Sequence, residues 1–137
     1  IYTKKLRESG LRPTKQRLKI CEVLFSSEKT FHFTINDLSK IIEEKLSEKI
    51  SLATIYNTIH AFKKKGYLKE ISINSNKSYF DTNTTEHQHF FDEDTSELTD
   101  CGEDEIDSIN VKNNITGKKI KSVEVLIRVA SDNQNQN

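Results

Sequence analysis

Two of the chain's four histidines stand one residue apart, at His87 and His89, with carboxylates on either side at Asp81 and Asp100. Imidazole nitrogen and carboxylate oxygen are the donors that Fe²⁺, Mn²⁺ and Zn²⁺ take from proteins, whereas Cu⁺ or an iron–sulfur cluster asks for thiolates. Thiols are scarce. Cys21 and Cys101 are the only two, and no C-x-x-C pair is present for zinc or for a disulfide framework. Cys101 adjoins Asp100, but neighbouring residues on a strand point to opposite faces. Residues i and i+2 share a face, so His87 and His89 chelate together if both lie in an extended run. Otherwise a bend after Thr85 must aim them. An H-x-H on a surface is also common without any metal, so the pair needs a context.

That context begins with charge. Residues 1–80 carry 16 Lys and Arg against 8 Asp and Glu, and residues 81–137 carry 5 against 13, so a net charge of zero conceals a basic half followed by an acidic one. The asymmetry favours two modules, the first suited to a polyanion. No apolar run approaches the roughly 18–20 residues of a membrane span, and no signal-peptide pattern opens the sequence, which points to the cytoplasm and away from a membrane. The chain starts on Ile1 rather than Met, which points to a missing N-terminal segment.

The elements that must position the histidines read as follows. Tyr2–Ser9 is a short basic helical segment stopped by Gly10. Thr14 is an N-cap for a helix whose Leu18, Cys21, Leu24 and Phe25 share a face and whose start is positive through Arg12, Lys15, Arg17 and Lys19. Thr34 and Asp37 stand at capping-box spacing before the stripe Ile35, Leu38, Ile41, Ile42 and Leu46. His32 precedes this helix between Phe31 and Phe33, where a lone histidine is ordinarily a packed side chain.

The third long helix is capped by Ser51, turns Leu52, Ile55, Ile59 and Phe62 inward, and ends at Gly66 after three lysines. Its other face offers Thr54, Tyr56, Asn57 and His60, side chains able to read base edges in a major groove. Tyr67–Ile73 and Ser78–Asp81 form a hairpin around N-S-N-K, with Lys77 at the tip in a phosphate-contacting role. Helices in this order followed by a hairpin make a winged helix-turn-helix. Beyond it, two strands, an amphipathic helix over Glu103–Asn113 and a strand over Lys121–Val129 make a β-β-α-β unit too small to stand alone. A second copy would cover its exposed face, giving a homodimer with two reading helices on a palindromic site. The polar run after Ala130 is expected to fray.

Four blocks together resemble the ferric uptake regulator superfamily, most of all its iron response regulator branch. They are G-L-R-P-T-K-Q-R, S-L-A-T-I-Y-N-T, S-Y-F-D-T-N and E-H-Q-H-F-F-D-E-D-T-S-E-L-T-D. The resemblance spans Leu6 to about Val129. It implies that His32, Asp81, His87, His89 and Asp100 form one regulatory metal site, with Arg12 entering a minor groove and Tyr56 meeting bases. Asn57 stands where many members have Arg, so the operator sequence should differ. Asp92 and Thr95 replace the first C-x-x-C of the structural zinc site, so no Cys₄ zinc is expected. Haem is the branch's other signal, but it is tied to three successive histidines and a Cys-Pro pair. Here Gln88 takes the middle position and no Cys-Pro occurs. A further family metal site would fall near Glu86, Gln88, Asp107 and Glu124, without a histidine, and is expected to be empty or weak.

The expectation is therefore an α+β chain. It would have a winged-helix DNA-binding domain at 1–82, a hinge at 83–85, an α/β dimerisation domain at 86–130 and a disordered tail at 131–137. One divalent ion per subunit, Fe²⁺ or Mn²⁺ with Zn²⁺ as an alternative, would couple domain angle to the affinity for double-stranded DNA through Arg12, Thr14, Arg17, Ser51, Thr54, Tyr56, Asn57 and Lys77. Two rivals use the same ligands: a peroxide sensor, in which peroxide reacting at bound Fe²⁺ oxidises a histidine, and a non-haem iron enzyme built on a His/His/Asp triad. No jelly-roll strand series accompanies the triad, so the chain reads as a regulator rather than an enzyme.

Overall fold

Capping chemistry sets the helix ends of the N-terminal half. In the computed structural model, which describes residues 1–102, 104–107 and 109–132, the chain divides into two compact units, Ile1–Thr85 and Glu86 onward. Helix α1 (Tyr2–Glu8) stops ahead of Gly10, which takes φ +78°. Helix α2 (Lys15–Phe25) starts at Thr14, whose hydroxyl oxygen accepts the Arg17 N–H at 3.2 Å. Helix α3 (Ile35–Leu46) opens with the full reciprocal box: the Asp37 N–H donates to Thr34 Oγ1 at 3.0 Å and the Thr34 N–H to Asp37 Oδ2 at 3.1 Å. Helix α4 (Leu52–Lys65) is capped by Ser51 and ends on Gly66 at φ +97°.

Leu6, Ile20, Leu24, Leu38, Ile42, Ile55, Ile59 and Phe62 seal the centre of these four helices. Each such burial contributes about 1.5–3 kcal/mol before entropy is charged. Leu52 departs from expectation, being 51% exposed. Ser51, Leu52 and Ala53 are all exposed, so the first turn of α4 stands clear of the core. Thr58 takes an inward position instead, its hydroxyl satisfied by the Thr54 carbonyl at 2.7 Å.

Strands β1 (His32–Phe33), β2 (Lys69–Asn74) and β3 (Lys77–Asp81) form an antiparallel sheet in the order β1-β3-β2. Ile71 and Ile73 point inward and Ser72 and Asn74 outward, the alternation of a half-buried hairpin. Asn74 Oδ1 accepts the Asn76 N–H at 2.8 Å and closes the turn as an Asx motif. The arrangement is a winged helix-turn-helix.

In the second unit, β4 (His89–Asp92) pairs antiparallel with β5 (Glu97–Asp100) and parallel with β6 (Leu126–Val129), in the order β5-β4-β6. Phe91 and Leu98 sit directly opposite one another and are both buried. The helix expected over residues 103–113 is absent among the described residues of that span; Glu103 and Ser108 lie outside them. Asp104, Asp107, Asn110 and Asn113 are weak helix formers. Ile109 and Val111 remain 41% and 50% exposed, so no buried apolar face offsets the entropy of ordering so short a helix. The last strand is shorter than its apolar run, because pairing with β4 covers four residues of it. Ser131, placed by the sequence in a fraying tail, donates its N–H to Asp94 Oδ2 at 2.6 Å. Residues 133–137 of that tail lie outside the described residues. No helix among the described residues is long and apolar enough to cross a membrane.

Gly66→Ala should lower the stability of the first unit by about 1–2 kcal/mol, because the left-handed conformation at φ +97° strains any Cβ. Ser47→Gly, at the left-handed end of α3 (φ +49°), should leave stability unchanged or raise it. Urea midpoints at constant m-value separate the two outcomes.

Candidate metal centre and nucleic-acid face

The strand β1 is only two residues long, yet it decides where His32 points. Its pairing with β3 sets His32 directly across from Asp81 and Phe33 across from Phe80. Two hydrogen bonds lock this register, from the Phe31 N–H to Thr82 Oγ1 at 3.0 Å and from the Thr82 N–H to the Phe31 carbonyl at 3.2 Å. Alternation then sends Phe31 and Phe33 to one side, their rings 5.4 Å apart, and His32 to the other. His32 Nε2 lies 3.0 Å from Asp81 Oδ2. Asp81 is 1% exposed, and its Oδ1 accepts the Asn83 N–H at 2.8 Å. Strand register thus sets His32 against Asp81, on the face away from the flanking aromatics.

The second unit repeats the device. The β4–β5 register sets His89 across from Asp100, and the ladder continues past the strand through the Cys101 N–H and the Gln88 carbonyl at 2.9 Å. That continuation keeps the backbone extended far enough to bring His87 onto the face of His89. Their Nε2 atoms lie 3.2 and 3.3 Å from the same Asp100 Oδ1, and the rings are 4.4 Å apart. The three ligand atoms all fall within 4.8 Å of one another. Three N/O donors converging on so small a volume fit a first-row divalent ion, once each imidazole gives up its Nε2 proton. Gln88 points the other way and accepts the Val125 N–H at 2.8 Å, so the residue between the histidines fastens the approach to β6. Cys101 is half-buried, and burial followed by the charges of Glu105 and Asp100 pushes its thiol up, against a thiolate ligand.

The residues expected to meet DNA gather in the first unit. Arg12, Thr14, Lys15, Gln16, Arg17 and Thr54 line one surface depression, where Arg17 Nη1 donates to the Arg12 carbonyl at 2.9 Å. Ser51 Oγ donates to Thr54 Oγ1 at 2.9 Å, and Tyr56 and Asn57 are exposed beyond them on α4. Lys77 is not the tip of the wing. It opens β3, half-buried, with its ammonium 5.4 Å from the Tyr79 ring, while Ser75 and Asn76 make the turn. A second hollow, between α4, the start of α3 and the wing, is lined by Tyr56, His60, Glu70 and Lys77 among others. Burial opposes ionisation of Glu70, but hydrogen bonds from Lys63 and Ser78 prevail and hold its carboxyl below the usual range. Glu70 carried no sequence signal, since only the strand pairing brings it to this hollow.

A model of the ferric uptake regulator family matches residues 8–128. The chain is 34% identical over 118 residues to the peroxide operon regulator of Bacillus subtilis, spanning 84% of this chain and 78% of that protein. It is 35% identical over 104 residues to the peroxide-responsive repressor PerR of Staphylococcus epidermidis, spanning 76% and 67%. The ferric uptake regulator from Pseudomonas aeruginosa with manganese superposes at a TM-score of 0.68 and 22% identity, over 96% of this chain and 98% of that one. That of Vibrio cholerae gives 0.68 at 24% identity, over 94% and 98%. The two structural likenesses show the fold. The iron response regulator branch finds no particular support in these relatives.

Thiol chemistry gives a check on this geometry. Burial pushes the Cys21 thiol from 9.0 to about 11, which leaves roughly a hundredfold less thiolate at neutral pH. Alkylation followed by mass spectrometry should label Cys101 slowly and Cys21 only after denaturation. Rapid labelling of Cys21 in the folded protein would contradict the packing of α2.

Proposed function

The chain belongs to the ferric uptake regulator family of metal-responsive transcriptional regulators, and we propose that its signal is one divalent ion per subunit, held by His32, Asp81, His87, His89 and Asp100. The observation that carries this reading is the convergence of His87 and His89 on one oxygen of Asp100. Three donors are an incomplete shell for Fe²⁺, Mn²⁺ or Zn²⁺, which take about four to six. The His32–Asp81 pair is a second donor set of the same chemistry. An ion drawing on both would fix the angle between the two units and with it the presentation of α4, so that DNA affinity follows metal occupancy. Fe²⁺ or Mn²⁺ is the proposed ion, with Zn²⁺ the alternative. Haem is disfavoured, because Gln88 interrupts the histidine run and no Cys-Pro pair occurs.

Arg12, Thr14, Arg17, Ser51, Thr54, Tyr56, Asn57 and Lys77 are the proposed DNA contacts. The arginines and Lys77 would serve the phosphates, and Thr54, Tyr56 and Asn57 the bases. We take the working form to be a cytoplasmic homodimer on a palindromic operator. Ile109, Val111, Ile115 and Ile120 are exposed in the second unit and call for a partner surface. The same His/His/Asp trio could serve an oxygenase, but membership of a regulator family favours a sensing role over turnover.

Equilibrium dialysis with Mn²⁺ and fluorescence anisotropy on a duplex selected in vitro test the reading together. Metal should change DNA affinity by about 5–150-fold. His87→Ala and His89→Ala should abolish that response, and His32→Ala and Asp81→Ala should weaken metal binding roughly tenfold or more. If the first pair leaves both metal and DNA binding intact, the reading fails. If only the second pair is silent, the ion belongs to the second unit alone.

The relatives named as peroxide regulators favour a further reading of the same site. With Fe²⁺ bound, hydrogen peroxide would transfer one oxygen atom to a ligand imidazole and leave as water. Mass spectrometry should then find one added oxygen on His32, His87 or His89 with Fe²⁺, and none with Mn²⁺ or Zn²⁺.

A further inference from the structure

The exposed Tyr56 ring rests on His60, one helical turn along α4, with centroids 4.1 Å apart. His60 in turn meets Phe80 edge-on at 5.6 Å, and Phe80 stacks on Phe33 at 6.0 Å. Phe33 and Phe80 are cross-strand partners, one rung from the His32–Asp81 rung. An unbroken line of ring contacts therefore runs from the exposed face of α4 to the strand pair that carries two proposed ligands. Phe33 and Phe80 are 0% and 2% exposed, and a close-packed interior passes on a displacement that an exposed segment would absorb. Tyr56 is 52% exposed. The ring thus has solvent on one side and His60 on the other, and its direction is set by that neighbour.

We propose that His60 is a positioning residue: it holds Tyr56 in the orientation that reads a base and ties that orientation to the β1–β3 strand pair. It touches no ion, and its effect on DNA runs through Tyr56. An i, i+4 aromatic pair also stabilises a helix by a few tenths of a kcal/mol wherever it occurs, which is the bland role it must be told apart from. The inference rests on the base-reading role proposed for α4, and the strand link rests on the proposed metal site.

The test is a double-mutant cycle of His60→Ala and Tyr56→Ala, each variant first checked for an intact thermal unfolding transition. Anisotropy is read on the in-vitro-selected duplex and on a scrambled duplex of equal length, at saturating Mn²⁺. His60→Ala should cost roughly three- to tenfold on the selected duplex and little on the scrambled one. It should cost nothing further when Tyr56 is already Ala. His60→Phe, which keeps a ring in that place, should retain most of the affinity. An equal loss in the Tyr56→Ala background, or no loss at all, overturns the proposal. If the wild type does not distinguish the two duplexes, the base-reading role itself is wrong and His60 falls with it.

Repeating the titrations with chelator tests the strand link. The ratio of DNA affinity with and without Mn²⁺ should shrink in His60→Ala, while Mn²⁺ affinity of the DNA-free protein stays at the wild-type value. An unchanged ratio removes the link to the metal site and leaves His60 positioning Tyr56 alone.

Discussion

Strand register is the constraint on which the rest depends. Both donor sets arise from one rung of an antiparallel ladder, His32 across from Asp81 and His89 across from Asp100. A slip of one residue in either ladder would flip every side chain to the other face. The slip is opposed by the apolar residues beside the ligands. In the first unit Phe33 and Phe80 occupy the next rung and must stay in the core. In the second, Phe91 and Leu98 lie two rungs from His89 and Asp100 and share their face. Hydrophobic burial therefore does double service, since the energy that buries four side chains also aims the proposed ligands.

The arrangement stores an electrostatic demand. Asp81 is almost wholly withdrawn from water, and a carboxylate in that position must be answered by hydrogen bonds or by positive charge. The Asn83 N–H and His32 are among the groups that answer it. In the second unit the Nε2 atoms of His87 and His89 both approach one Asp100 oxygen. The proposed divalent cation would supply charge to a carboxylate and accept imidazole lone pairs in place of protons.

How much was legible in the sequence follows the range of the interaction. Thr14, Thr34, Ser51 and Gly66 act on their own or the next turn, and each helix boundary they mark agrees with the structure. His87 and His89 were legible because two residues suffice to state the motif. His32 was not legible from the residues alone. Strand β1 has no periodicity to read, and its partner lies about fifty residues away, so family resemblance rather than local pattern pointed to it. His60 was read as one polar residue among several on α4, since its contact with Phe80 exists only once the wing folds back. The helix expected over 103–113 was misread for the opposite reason: the apolar spacing of its described residues suits a helix, but a helix needs something to bury that spacing against.

Charge illustrates the same distinction between counting and placing. The basic excess of the first eighty residues suggests a strong, diffuse attraction to DNA, yet several of its cations are already engaged. Lys19 pairs with Glu48, Lys63 with Glu70 at 2.6 Å, and Lys5 lies over the rings of Phe25 and Tyr67. Lys63, Lys64 and Lys65 cluster at the C-terminal end of α4, where they answer the helix dipole. The cations gathered beside Thr54 at the start of α4 are Arg12, Lys15 and Arg17, and phosphate contacts of that sort set register and orientation without reading sequence. On the proposed DNA-binding reading, discrimination would fall to uncharged side chains on α4, to Thr54, Tyr56 and Asn57. Where an arginine at position 57 would bring its own long-range attraction, asparagine reads only at hydrogen-bond distance. A reader built this way depends on having its few short side chains held in place, which is why the packing behind Tyr56 matters as much as the residue itself.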